Sequence, residues 1–242
     1  ELDLDGIGML VGACLEEGLT PEEIIQEGIS KGLEIVGRKF EDGEYFLADL
    51  IMAGEVVKEA MPILKARMNP GDSSGKGTVI LATVAGDIHE IGKNIVGMIL
   101  SANGFEVIDL GLATTPTVEM AVPGEGADAG IILTASHNPK QWNALKLLNG
   151  KGEFISAAEG GEVLRIAETD AYRFAEVDHL GSVRTDDSWT KTHIDAILKL
   201  DLVDAKAIAA ARFKVVVDAV NSVGGVAVPQ LLDALGVETV KL

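Results

Sequence analysis

Apolar positions recur at helical spacing through the first 68 residues. Ile24, Ile25, Ile29, Leu33 and Val36 make one stripe, and Leu47, Leu50, Ile51, Val57, Met61 and Leu64 make another. Thr20, Pro21 and Glu23 supply an N-cap, a first-position proline and a capping-box acid, so a helix is predicted to start there. Glu41–Gly43 breaks it and a further helix starts from Tyr45, which predicts a small antiparallel bundle. NPGDSSGKG (69–77) is nearly all turn formers and reads as a linker.

After the linker the period changes. Thr78–Val84 is a continuous β-rich run, as in a buried parallel strand. Residues 90–102 are helical in pattern, Gly104 ends them, and Phe105–Leu110 is a second strand. Together these make one βαβ unit. A helix at 115–122 and a strand at Ala129–Thr134 follow. Residues 144–156 suit a short strand pair, and 157–169 and 188–211 suit helices with a loop between them. Phe213–Val220 reads as a new strand, then a helix at 226–235 and a last strand at 237–241. No internal repeat is evident.

Composition narrows this picture. Hydrophobic residues make up 47% and aromatic residues 4%, so the core is aliphatic, as suits helices on a parallel sheet. A net charge of −18 argues against a nucleic-acid partner, which needs clustered Lys and Arg. The lone cysteine, Cys14, excludes an internal disulfide and is expected as inert core. With no membrane-length apolar run and no signal peptide, a cytoplasmic protein is expected.

The candidate chemistry lies after the first strand, in Gly86-Asp87-Ile88-His89-Glu90-Ile91-Gly92-Lys93-Asn94. A neutral imidazole is a good ligand for a borderline transition metal, and its other ring nitrogen needs an acceptor. Asp87 can supply that acceptor if the loop curls. Gly92 allows close approach of a large flat ligand where the helix begins. The loop also sits at the carboxyl end of a strand, where open α/β sheets bind ligands.

GDIHEIGKN resembles the Asp-x-His-x-x-Gly signature of cobalamin-binding proteins, namely methionine synthase and the corrinoid proteins of methyltransferase systems. The preceding segment, EEGLTPEEII…VVKEAMPIL, resembles their four-helix cap, so the resemblance covers residues 1–111. It implies a cobalamin cofactor and His89 as the axial cobalt ligand, with Asp87 behind it as a proton-linked relay. It also implies a cap over the face where a methyl group rides, and methyltransferase subunits as partners. The cofactor-binding set it suggests is Asp87, His89, Gly92, Lys93, Thr134 and Ser136. The family's Ser-x-Leu region falls on Thr134-Ala135-Ser136, without the Leu. Gly160-Gly161 lies near its glycine pair, but in a helix-like acidic stretch where coincidence is the better reading.

Residues 109–155, with Thr134-Ala135-Ser136-His137-Asn138-Pro139, resemble instead the active-site region of the α-D-phosphohexomutases. That resemblance makes Ser136 the phosphoryl-carrying serine, flanked by His137 and Asn138, with Lys146 on the next strand and Mg²⁺ as the possible metal. FKVVVDAVNSVGG (213–225) resembles the opening of that family's second domain. The mutase's aspartate metal loop and sugar loop are absent from this sequence, so catalysis by this chain alone is not expected.

The expected class is therefore α/β. A helical cap at 1–70 precedes a flavodoxin-like or Rossmann-like parallel sheet at 77–157, which mutase-type strands complete. A helical connection (158–211) and a truncated α/β unit (212–242) follow, and the two families join near Gly104–Gly111. Three readings stay open. The chain is a cobalamin-binding methyl carrier, a mutase fragment, or a chimera in which neither site works.

Overall fold

The computed structural model describes residues 3–65, 67, 75–84, 88–134, 144–169, 171–172 and 181–242. The chain divides into two compact units. One is formed mainly by residues 1–75, and the other by 76–101, 105–173 and 182–242.

In the first unit, α1 (Ile7–Glu16) is followed by α2 (Pro21–Glu23), a π-helical stretch (Ile24–Ser30) and α3 (Lys31–Glu41); α4 (Leu47–Lys65) comes last. The predicted capping box is present: Glu23 N–H donates to Thr20 Oγ1 at 3.2 Å, and Thr20 N–H donates to Glu23 Oε2 at 2.9 Å. Gly43 takes φ +72° in the turn after α3, a conformation that costs glycine little. Val11, Ile24, Ile25, Ala60 and Leu64 form the core, with Cys14 partly buried against it. Because α2, the π-helical stretch and α3 follow one another without a loop, the described residues form three helical rods, where the family resemblance implies four helices.

The second unit is built on β1 (Gly77–Thr83), α5 (Ile88–Ala102), β2 (Phe105–Leu112), α6 (Thr115–Gly124), β3 (Ala129–Thr134) and β4 (Ala144–Asn149). Then come α7 (Ala157–Glu168), β5 (Val183–Thr185), α8 (Trp189–Leu198), α9 (Ala205–Ala210), β6 (Lys214–Val217), α10 (Gly224–Ala234) and β7 (Glu238–Lys241). The main sheet has the order β4-β3-β1-β2-β5. Its β1, β2, β3 and β5 run parallel, and β4 turns back antiparallel on β3.

Alternation along the central strands sends side chains to two layers. Leu81, Val107 and Leu133 face Val96 and Leu100 of α5. Ile80, Ala82, Ile108, Leu110 and Ile132 face Val118, Ala121 and Val122 of α6. Each valine, leucine or isoleucine among them contributes roughly 1.5–3 kcal/mol on full burial, so the strand pattern alone goes far to specify this sandwich.

Three expectations change. Residues 183–185, read as loop, add β5 to the edge of the main sheet beside β2. Val183, Arg184 and Thr185 are all exposed, so they carry no apolar alternation by which to be recognised. Helix α5 starts at Ile88, which puts His89 and Gly92 inside the helix. A single glycine costs a helix interior only about 1 kcal/mol, less than the α5 face recovers by packing. The 213–220 strand shortens to Lys214–Val217 and pairs with β7 in a separate two-stranded sheet.

Candidate cofactor site

The strand order reverses direction at β1, whose neighbours β2 and β3 leave on opposite sides. Open α/β sheets bind ligands outside the carboxyl ends of the strands at such a switch point. The carboxyl end of β1 is held on both flanks. Thr83 Oγ1 donates to Leu133 O at 3.2 Å, and Ala113 N–H donates to Thr83 O at 3.1 Å. The strands β1 and β3 are parallel neighbours up to Thr83 opposite Leu133.

A buried ion pair lies behind this edge. The Lys93 ammonium, 3% exposed, pairs with Asp109 Oδ2 of β2 and donates to Asn94 Oδ1 at 2.9 Å. Asp109 is 14% exposed and its Oδ1 accepts the Gly111 N–H at 2.8 Å. The β1–β2 register slips between Leu81 and Thr83, and Gly111 takes φ +62° there. This irregularity works as a bulge, and bulges re-aim side chains at sheet ends.

Among the sequence-based site residues, Gly92 is half-buried in α5 and Lys93 is buried in its ion pair. Thr134 is buried at the end of β3, opposite Ala144. His89 is described by its backbone alone, as the second residue of α5. Asp87, Ser136, His137 and Asn138 lie outside the described residues. Lys146 sits on β4 opposite Ile132, with its ammonium 5.7 Å from the centre of the Phe154 ring. Gly160 and Gly161 fall within α7, the helix expected at 157–169. Among the described residues no group of three or more His, Cys, Asp or Glu could hold a metal ion, and no helix is long and apolar enough to cross a membrane.

Asp109 and the turn before α10 were not singled out by sequence. A signal for Asp109 existed, because Lys93 shares the inner stripe of α5 with Val96, Gly97 and Leu100 and so needs a buried acid. The second feature left no sequence signal. Val223 N–H donates to Val84 O at 3.0 Å, which brings the C-terminal α/β segment to the mouth of β1. In the same turn Val220 and Asn221 take φ +44° and +59°, and a β-branched residue rarely accepts such values.

Two cavities accompany these features. One of about 460 Å³ lies at the carboxyl ends of β2 and β5, between Leu110, Ala113, Asp186, Trp189, Lys191 and Gln230. The Ser188 hydroxyl and N–H hold the Asp186 carboxyl below its ordinary range, with Arg184 adding to the effect. That acid is thus engaged in local hydrogen bonds. The helical unit has its own apolar cavity of about 480 Å³, lined by Val11, Cys14, Ile24, Leu33, Val36 and Tyr45 among others.

A corrinoid needs an axial ligand at the sheet edge and room for its nucleotide tail. His89 is the second residue of α5, the helix that follows β1 in the chain, and Lys93 one turn on pairs with Asp109 of β2, so the backbone order is compatible with the first need. The sheet layers are tighter. A Cβ on Gly97 would lie 3.1 Å from Leu81 Cδ2, and one on Gly130 would lie 2.7 Å from Val122 Cγ2. At Gly130 helix and strand meet without space for another methyl group, whereas at Gly97 a methyl group needs the end of Leu81 to give by a few tenths of an ångström. The fit is therefore confined to the edge at which α5 begins.

These features define a doubly wound α/β protein with a ligand edge at its switch point, preceded by a helical unit. The chain is 31% identical over 204 residues to a corrinoid protein of Desulfitobacterium hafniense, covering 81% of this chain and 88% of that one. It belongs to the corrinoid protein family. The B12 binding domain family matches residues 1–65, and domain I of the phosphoglucomutase/phosphomannomutase family, an alpha/beta/alpha domain, matches residues 66–173. A monomethylamine corrinoid protein of Methanosarcina mazei is 38% identical over 113 residues, 46% of this chain and 52% of that one. A stretch of 113 residues is longer than the helical unit, so corrinoid-like sequence continues into the α/β unit. The solved structure of a phosphoglucomutase/phosphomannomutase family protein from Burkholderia thailandensis superposes with a TM-score of 0.53 at 25% identity, covering 68% of this chain and 35% of that one. The chain thus combines corrinoid and mutase sequence, and it spans about a third of the mutase and half of the monomethylamine protein.

Proposed function

We propose that the chain is a cobalamin-binding methyl carrier in which His89 ligates cobalt from below and Asp87 orients the imidazole. The observation that carries this reading is the position of GDIHEIGKN. It follows the strand at the sheet's switch point, in a chain of the corrinoid family. A bound corrinoid would supply cobalt chemistry able to accept and give up a methyl group. The protein's part is to present one imidazole at the carboxyl edge of β1, to fix its tautomer through Asp87, and to exclude water with apolar surface. Gly92 and Lys93 hold the turn, Thr134 ends the adjacent strand, and Ser136 completes the cofactor-binding set on this reading. The partners on this reading are methyltransferase subunits, and the compartment is the cytoplasm.

Titration with hydroxocobalamin tests it. The chain is expected to take up the cofactor and show an imidazole-ligated visible spectrum. His89→Ala is expected to keep its fold and lose that spectrum. No uptake by the parent chain defeats the reading.

The mutase likeness of residues 66–173 favours a second reading, in which Ser136 is the phosphoryl-accepting group and Mg²⁺ its metal. Phosphoryl transfer needs charge neutralisation that the rest of a mutase provides, so a phosphorylated but catalytically idle serine is the expectation. Incubation with glucose 1,6-bisphosphate and mass spectrometry of Ser136 tests it, and an unmodified serine defeats it. If neither ligand raises the melting temperature, the chimera holds no working site, because a ligand bound only by the native state must stabilise it.

A further inference from the structure

Lys93 is a charged residue on the buried stripe of α5, and apart from its neighbour Asn94 its partner is an acid on the next strand. Burying an ammonium is costly unless it is paired and hydrogen-bonded. The pair is therefore maintained by more than packing, and its position suggests what it does. Lys93 lies one helical turn after His89. Asp109 lies on β2 opposite Leu81 of β1, and its two carboxylate oxygens are divided between Lys93 and the Gly111 N–H. Its backbone carbonyl accepts the Asp186 N–H at 2.9 Å, just beyond β5. Asp109 is thus fixed by the bulge and by the edge strand, and Lys93 ties the start of α5 to that fixed point.

We infer that the Lys93–Asp109 pair is a clamp that holds the N-terminal turn of α5, and with it the His89 backbone, at the carboxyl edge of the sheet. Its use in presenting the axial ligand rests on the corrinoid reading above; the clamp itself does not. Lys93 and Asp109 are positioning residues in this account. The clamp also spans the region where corrinoid-like and mutase-like sequence meet, because Lys93 belongs to the loop motif and Asp109 to the strand that both families share.

The test uses the full chain without cofactor first. Amide hydrogen exchange is followed by mass spectrometry in the parent, in Asp109→Asn and in Lys93→Arg. Asp109→Asn keeps an acceptor for Gly111 N–H and removes the charge. It is expected to speed exchange across residues 88–94 at least tenfold while β1, β3 and α6 keep parent rates. Lys93→Arg is expected to stay near the parent. Where Asp109→Asn does not fold, Lys93→Met gives the same comparison, because Asp109 then keeps Gly111 and some solvent. Parent-like exchange at 88–94 in the charge-removed variant overturns the clamp.

Hydroxocobalamin is then added. The charge-removed variant is expected to take it up with the imidazole-ligated fraction reduced at least fivefold. An unchanged spectrum overturns the positioning role. If the parent takes up no cobalamin while the exchange result holds, the corrinoid reading fails and the clamp stands.

Discussion

The two helix layers on the main sheet are built differently. On the α6 side, eleven buried residues from β1, β2, β3, β4, α6 and their connections form one aliphatic cluster, with Trp189 against it. On the α5 side the cluster among the described residues is smaller, with Leu81, Val107 and Leu133 buried and backed by partly buried Val96, Leu100 and Ile131. The α5 layer adds a buried ion pair instead. The difference teaches where stability and site adjustment reside. Aliphatic burial is non-directional and additive in area, so the α6 layer anchors the unit. Among the described residues the α5 layer has a smaller apolar cluster and adds a directional tie, which suits the helix that carries the candidate ligand.

The sharpest break in that comparison comes from matched truncations. Leu110→Ala on the α6 side is expected to cost about 2–5 kcal/mol, the usual range for a buried leucine. Leu100→Ala on the α5 side should cost less, about 1–2 kcal/mol, because its site is half-exposed and can collapse. Urea denaturation measures both, and equal losses would dissolve the distinction between the layers.

A smaller effect separates two glycines. Gly130→Ala would press its methyl on Val122 and Leu148 of the tight layer, and overpacking of this kind costs roughly 1–3 kcal/mol. Gly97→Ala presses on the flexible end of Leu81 and meets Val107 at an ordinary 4.0 Å, and alanine recovers up to about 1 kcal/mol of helix propensity. Melting curves should show a clear loss for the first and little change for the second. A destabilised Gly97→Ala would mean that the α5 layer is as unyielding as its counterpart.

The mildest expected effect concerns pH. His193 of α8 meets Thr117 of α6, with 3.0 Å between Nδ1 and Oγ1, and burial holds its pKa below the ordinary histidine value. The neutral ring is therefore favoured by folding. Above the ordinary value both states are neutral and stability is unaffected. As pH falls through it the unfolded chain takes up the proton first, and stability is lost until the folded pKa is passed. Glu159, Glu162 and Asp186 have lowered carboxylate pKa values, so their losses begin as pH falls into the ordinary carboxylate range and continue below it. His193→Gln should thus remove a loss between pH 7 and 5 and leave the loss at lower pH. If His193→Gln keeps the full loss between pH 7 and 5, the α6–α8 contact is not its source.

Much of the architecture could be read from residue order. The change from 3.6-residue to strand periodicity at the 69–77 linker predicted the helical unit and β1–α5–β2, and Thr20 and Glu23 predicted a cap that is present. These signals are local, since each depends on neighbours within a turn or a strand. The start of α5 was less legible, because a glycine reads as a boundary when the packing that overrides it is invisible. At the candidate site the motif string was legible, and the sheet order then set its neighbours.

By itself the sequence determined the units, the alternation of buried positions and the loop that could present an imidazole, because propensity and periodicity act over short distances. Only the tertiary structure decided that β3 pairs with β1, so that the strands preceding the corrinoid-like and mutase-like motifs in the sequence are neighbours. It also decided that Val183–Thr185 joins the sheet, that Lys93 finds Asp109, and that the turn at Val223 reaches Val84. Each is a pairing between residues distant in the chain. Hydrogen-bonding capacity and charge make such pairings possible, and packing selects among them.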